Sequence, residues 1–255
     1  MEIISQNVVY FAVVIAIMAL LFVWAYFTKR IQKDFSTMTW VLIPVAIAIN
    51  LTIGQIVLVL KLPVYLVSIG TVLVGVICGP WAGALTGALS NIIAGIILDP
   101  GWFPWFPVAA AIGATAGAMA NIGFFKNWWK VVVTGFVIAV VATVVGTPIN
   151  IAVFGGISAS GSSIITAFLL ETGRSLLSSV LTTNFIAEPI DKIATSLLAF
   201  AILDGLSARY LARFPRGENA AIEKGQQVTQ VIIALVVVVL LILFAIFILP
   251  MLTAQ

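Results

Sequence analysis

Asn91, Asn150, Glu188, Asp191 and Lys192 stand inside or at the ends of long apolar runs, where a polar group must find its partner within the protein. Glu188 and Lys192 are four residues apart, within reach of an ion pair on one helix face. Glu171 and Arg174 interrupt the apolar run that begins at Ile164. The segment DPGWFPWF, Asp99 to Phe106, opens on turn chemistry and then carries Trp102, Phe103, Trp105 and Phe106. These types suit non-covalent recognition: amides for the polar edge of a ligand, indoles to stack on a ring, charges to answer a charge. Asn91, Asp99, Trp102, Trp105, Asn150, Glu171, Arg174, Glu188, Asp191 and Lys192 are therefore the candidate ligand contacts. Each also has a plainer reading. The asparagines serve equally as glue between helices, the aromatics as an interfacial belt, and the acids as partners of Lys192 and of a helix dipole.

Covalent and metal chemistry has little to work with. The chain has no histidine and one cysteine, Cys78, which removes a Ser-His-Asp triad, a multi-cysteine metal cage and an internal disulfide. The patterns G-x-x-x-x-G-K-[ST], Gly-x-Ser-x-Gly and His-Glu-x-x-His are absent. The acids form no metal-type cluster on one helix and no chain that would relay protons. The expectation is a protein that is not an enzyme and needs no cofactor, and a carrier that depends on a separate motor.

The elements that must position these residues are membrane helices. Hydrophobic residues make up 62% of the 255 and charged residues 8%, with a mean hydropathy of +1.23, whereas a soluble domain is about a quarter charged. The apolar runs are continuous, which excludes the alternation of a β-barrel. The net charge of +3 is too small and scattered for nucleic acid. Spans are expected at Val8 to Phe27, Trp40 to Leu60, Val64 to Cys78, Trp81 to Leu98, Val108 to Phe124, Val131 to Phe154, Glu188 to Leu206 and Val228 to Pro250. Pro148 is expected to interrupt the sixth of them. Ile164 to Leu181 is too polar at its centre for a lipid-facing span, so 164–182 is read as an outer or re-entrant helix.

The basic groups Lys29, Arg30 and Lys33, then Lys126 and Lys130, then Arg209, Arg213 and Arg216 mark the cytoplasmic side. Both termini then lie outside a cell membrane crossed many times. The fold class is an all-α membrane protein, a six-helix core with an extra transmembrane helix at each end. Its parts are an anchor and linker at 1–38, the core at 39–213, and a linker with a last helix at 214–255.

The six-helix core, the small-residue face of Ala46, Asn50 and Gly54, and the run LPVYLVSIGTVLVGVICGPWAGALTGALSNIIAGI resemble the substrate-binding S components of energy-coupling factor (ECF) transporters. So does the segment from Glu188 through Asp191-Lys192, with arginines beyond it. The resemblance covers roughly Trp40 to Arg213. It implies a vitamin-like small molecule bound near the outer face under closing loops, and docking on a transmembrane T component driven by two ATPase subunits. The family docks through Ala-x-x-x-Ala on its first core helix. Here Ala46 is followed by Asn50 and Gly54, a looser version of that face. A membrane sensor or scaffold module without transport, and an autonomous secondary carrier, are the alternative functions for such a chain.

Overall fold

The computed structural model describes residues 31–60, 64–158, 160–220 and 227–243. The first expected span, Val8 to Phe27, lies outside them, as does the last one beyond Leu243. Among the described residues there are helices and no strand. The α-helices are α1 (Thr37–Val59), α2 (Ile69–Cys78), α3 (Pro80–Ile97), α4 (Phe106–Asn121), α5 (Trp128–Phe154), α6 (Ser163–Glu171), α7 (Leu176–Asp204), α8 (Ala208–Leu211) and α9 (Gln227–Leu243). Short 3-10 turns occupy Ile31–Asp34, Pro100–Trp105 and Gly217–Ala220. Thr37–Val59, Pro80–Ile97, Pro100–Asn121 and Trp128–Phe154 are each long and apolar enough to cross a membrane. The protein is an all-α membrane protein.

Local chemistry sets the helix ends. Ser36 caps α1 in a reciprocal box with Thr39. Gly79, at φ 121, turns α2 into α3, and Pro80 occupies the first turn of α3. Gly155, at φ 62, closes α5 in the left-handed region. Ser175 caps α7 by accepting from the Ser178 N–H.

Helices α3 and α4 meet backbone to backbone. A Cβ on Gly113 would stand 2.2 Å from the Gly83 carbonyl oxygen, and one on Gly87 would stand 2.1 Å from that of Ala109. The four-residue glycine spacing on α3 is therefore a packing device. Helix α5 crosses α7 in the same way at Gly135, whose Cβ would lie 2.6 Å from the Ile193 Cα.

Helix α2 is the centre of the bundle. All ten of its residues are buried, and at about 1.5 Å per residue it is only half as long as a bilayer is thick. Asn50 of α1 ties it in place. The Asn50 amide donates to Thr71 Oγ1 at 2.9 Å and to Ser90 Oγ at 3.0 Å, and its carbonyl oxygen accepts from the Gly70 N–H at 2.7 Å. One side chain thus joins α1, α2 and α3. Replacing Asn50 with alanine strands the buried Gly70 N–H and should destabilise the protein by about 2–3 kcal/mol. Equilibrium unfolding in mixed micelles measures this, and a loss under about 0.5 kcal/mol would contradict the assignment.

Two helices run further than the sequence suggests. Helix α5 passes unbroken through Pro148, and α7 passes through Pro189 and begins at Leu176 rather than Glu188. A proline removes one N–H from the helix ladder. The carbonyls this leaves belong to Val144 and Phe185, which face outward at 67% and 58% exposure, so no helix partner is disturbed. In place of a helix over 164–182, the structure has the short α6 and an exposed link at 172–175. Helix α9, expected as an addition to the core, packs along α7 and α5.

Candidate functional site

Glu188, Asp191 and Lys192 lie in the middle of α7, not at a helix start, so a helix dipole plays no part in holding them. Asp191 is fully buried and Lys192 is 4% exposed. One Asp191 oxygen accepts from the backbone N–H groups of Tyr65 and Leu66 at 2.8 and 2.7 Å. Its other oxygen pairs with Lys192 Nζ. That ammonium also stands 3.3 Å from Glu188 Oε2 and 5.5 Å from the centre of the Tyr65 ring. The Glu188 contact is close enough for an ion pair but too poorly aligned for a hydrogen bond, and Glu188 Oε2 has no hydrogen-bond partner.

The chain segment at Tyr65 and Leu66 is shaped to meet this carboxylate. Leu66 has a positive φ of 51°, a left-handed backbone that costs a branched-chain residue about 1–2 kcal/mol. The two N–H bonds to Asp191 offset that strain and hold the entry to α2. The Tyr65 hydroxyl reaches Ser162 Oγ. Ser162 belongs to a chain of hydroxyls in which Ser160 contacts both Ser162 and Ser163 and Ser158 contacts Ser160, at 3.0 to 3.2 Å. The cluster therefore joins three separate parts of the chain: the segment before α2, the serine-rich link before α6, and the middle of α7.

Further polar groups line the same helices. Asn184, one turn before Glu188, donates to Thr147 Oγ1 on α5 at 2.9 Å. Asn150, on the next turn of α5, is 7% exposed, and its carbonyl oxygen has no partner. Thr195 Oγ1 and Ser196 Oγ, one turn beyond Asp191 and Lys192, are buried and unpartnered too. Asn184, Glu188, Asp191, Lys192 and Thr195 recur at three- and four-residue steps, which places them on one face of α7.

The other expected contacts lie elsewhere. Asn91 is buried on α3 at 8% exposure. Trp102 lies against Gly54, whose Cβ would fall 2.7 Å from the indole. Trp105 stacks on Phe154 with centroids 5.4 Å apart and planes at 11°, so that ring face is occupied from within the protein. Asp99 caps the following 3-10 turn by accepting from the Gly101 N–H. Glu171 and Arg174 are exposed at the link between α6 and α7. The Ala46–Asn50–Gly54 face is turned inward. Ala46 and Asn50 are each 1% exposed, and a Cβ on Gly70 would stand 2.2 Å from the Ala46 carbonyl oxygen.

Tyr65 and Ser162 were not singled out by sequence. The signal was a tyrosine in LPVYLVS, two residues after a proline, in a chain that also carries a serine-rich link. A second polar centre, at the end of the bundle that carries Arg209 and Arg213, was also missed. Asp34 is fully buried there. Its carboxylate takes Arg216 Nη2 at 2.8 Å and Nε at 3.0 Å, and accepts from the Trp81 N–H at 2.9 Å. Burial pushes this carboxyl above the ordinary aspartate range, while the Trp81 N–H and the Arg216 guanidinium oppose that shift. The Arg216 N–H caps the end of α2 at the Ile77 carbonyl, at 2.9 Å, and Asn219 reaches the Val76 carbonyl at 3.3 Å.

The two centres hold α2 at both ends. Only the α7 centre combines a charge cluster with unpartnered polar atoms, so it is the candidate ligand site. Compared with protein-family models, with curated proteins and with solved structures, the chain matches none.

Proposed function

We propose that this protein is the membrane-embedded substrate-binding subunit of an ECF-type importer, taking up a vitamin or related micronutrient and handing it on with a T component and two ATPase subunits. The observation that supports this most is the buried α7 centre. It sets Glu188 Oε2 without a hydrogen bond beside a left-handed turn at Leu66 and a serine-rich link. Charged residues inside a membrane bundle are by default site residues, and buried acceptors left open favour an absent donor. In this reading the helices α1 to α5 and α7 would serve as the six-helix core of such a subunit. Ser158, Ser160 and Ser162 of the serine-rich link and the aromatic turn Pro100–Trp105 would close over the ligand.

Docking through Ala46, Asn50 and Gly54 does not form part of the proposal, because α2 and Trp102 cover that face. The transporter reading is tested by mild extraction of the tagged protein from its own host and identification of what comes with it. A T component and paired ATPases are the expected partners, with uptake of the bound compound lost when the gene is deleted. A sensor kinase in their place would move the assignment to signalling.

A further inference from the structure

We infer that the α7 centre recognises an organic cation bearing N–H donors, such as an amidinium or a protonated amine; this rests on the ligand-binding role proposed above. The charges decide the sign. Asp191 and Glu188 bring two carboxylates, and Lys192 brings one ammonium that serves both. At their formal charges, two carboxylates against one ammonium leave one negative charge unbalanced, with Asp191 and Lys192 buried and Glu188 14% exposed. Among the described residues no other cation pairs with either acid; the remaining ion pair, Arg216 with Asp34, belongs to the other polar centre. An unbalanced charge in so apolar a setting is costly, and a ligand carrying one positive charge removes the deficit.

The open hydrogen-bonding groups point the same way. Asp191 has both oxygens engaged, by the Tyr65 and Leu66 N–H groups and by Lys192. Glu188 Oε2 is ion-paired with Lys192 yet has no aligned hydrogen-bond donor. Thr195 Oγ1, one turn along α7 from Asp191, is unpartnered and its residue is fully buried; its oxygen can also accept. Acceptors without donors beside a surplus negative charge describe a receptor for N–H groups on a cation. An anionic ligand would add to that surplus of negative charge.

The test uses the full chain in lipid nanodiscs and three aryl probes of nearly equal shape: benzamidine as the cation, benzamide as the neutral form and benzoate as the anion. Benzamidine is expected to raise the unfolding temperature by about 5 °C at a hundredfold excess over its dissociation constant, and the other two to leave it unchanged. Glu188→Gln should abolish that rise. Because it removes the surplus charge, Glu188→Gln should also leave the ligand-free protein at least as stable as the parent, which a purely structural ion pair would not do. Should Glu188→Gln not fold, Thr195→Val is the second variant, with a reduced response expected.

A response to benzamide or benzoate equal to that to benzamidine overturns the cation assignment and leaves ligand binding standing. So does a Glu188→Gln variant that keeps the full benzamidine response. Silence towards all three probes also rejects the cation. Ligand binding itself then stands or falls on whether the protein leaves its own membrane carrying a small molecule.

Discussion

Asp191→Ala is expected to be among the most damaging single substitutions in the protein, at about 3–5 kcal/mol of stability. The carboxylate answers three groups at once: the Tyr65 and Leu66 N–H groups and the Lys192 ammonium. Alanine leaves both N–H groups buried without an acceptor and Lys192 with only the misaligned Glu188. It also frees Leu66 from its left-handed backbone, so the entry to α2 loses its anchor. Asp191→Asn keeps an oxygen for the two N–H groups and gives up only the charge, so it should cost clearly less than alanine. Unfolding in mixed micelles orders the two variants. Equal losses would mean that the N–H contacts contribute nothing, and the charge alone accounts for the residue.

The second large effect is expected at the opposite end of α2, where removal of Arg216 should harm the protein more than removal of Asp34. Asp34 is fully buried and Arg216 is 28% exposed. Arg216→Met strands the carboxylate where water cannot reach it, for about 3 kcal/mol or more. Asp34→Asn leaves a guanidinium that can turn to solvent, and its amide oxygen can still accept from the Trp81 N–H; about 1–2 kcal/mol is expected. The double variant should recover part of the Arg216→Met loss, because it removes the stranded charge. Simple addition of the two single losses would show that the pair is not coupled. Gly79 limits what else can be changed here, since a Cβ on it would stand 2.3 Å from the Asp34 carboxyl carbon.

Much of this architecture was legible in the residues. The continuous apolar runs foretell membrane helices and the four-residue glycine spacing on α3 foretells close packing by a neighbour, because both depend on local pattern and side-chain size; that the neighbour is α4 comes only from the structure. The α7 charges were visible as candidates for the same reason: few ionisable residues interrupt such runs. Their setting was not legible. A proline and charges at Glu188-Pro189 look like a helix start, yet α7 runs through them, since the freed carbonyl faces outward and the charges find partners in a distant segment. Asn50 looked like part of an external small-residue face. Its three partners lie on α2 and α3, and no local pattern shows which neighbour a small-residue face will meet. Trp105 was legible as an aromatic near a mouth, but Phe154, which covers it, is 49 positions on (154 − 105).

The central claim is that the buried α7 centre holds a small molecule. Native mass spectrometry on the protein released from its own membranes in mild detergent, beside Glu188→Gln treated alike, tests it most directly. The account predicts a non-covalent adduct of small-molecule mass on the parent protein and its loss from the variant. A bare parent protein, or the same adduct at the same occupancy on both, would contradict it.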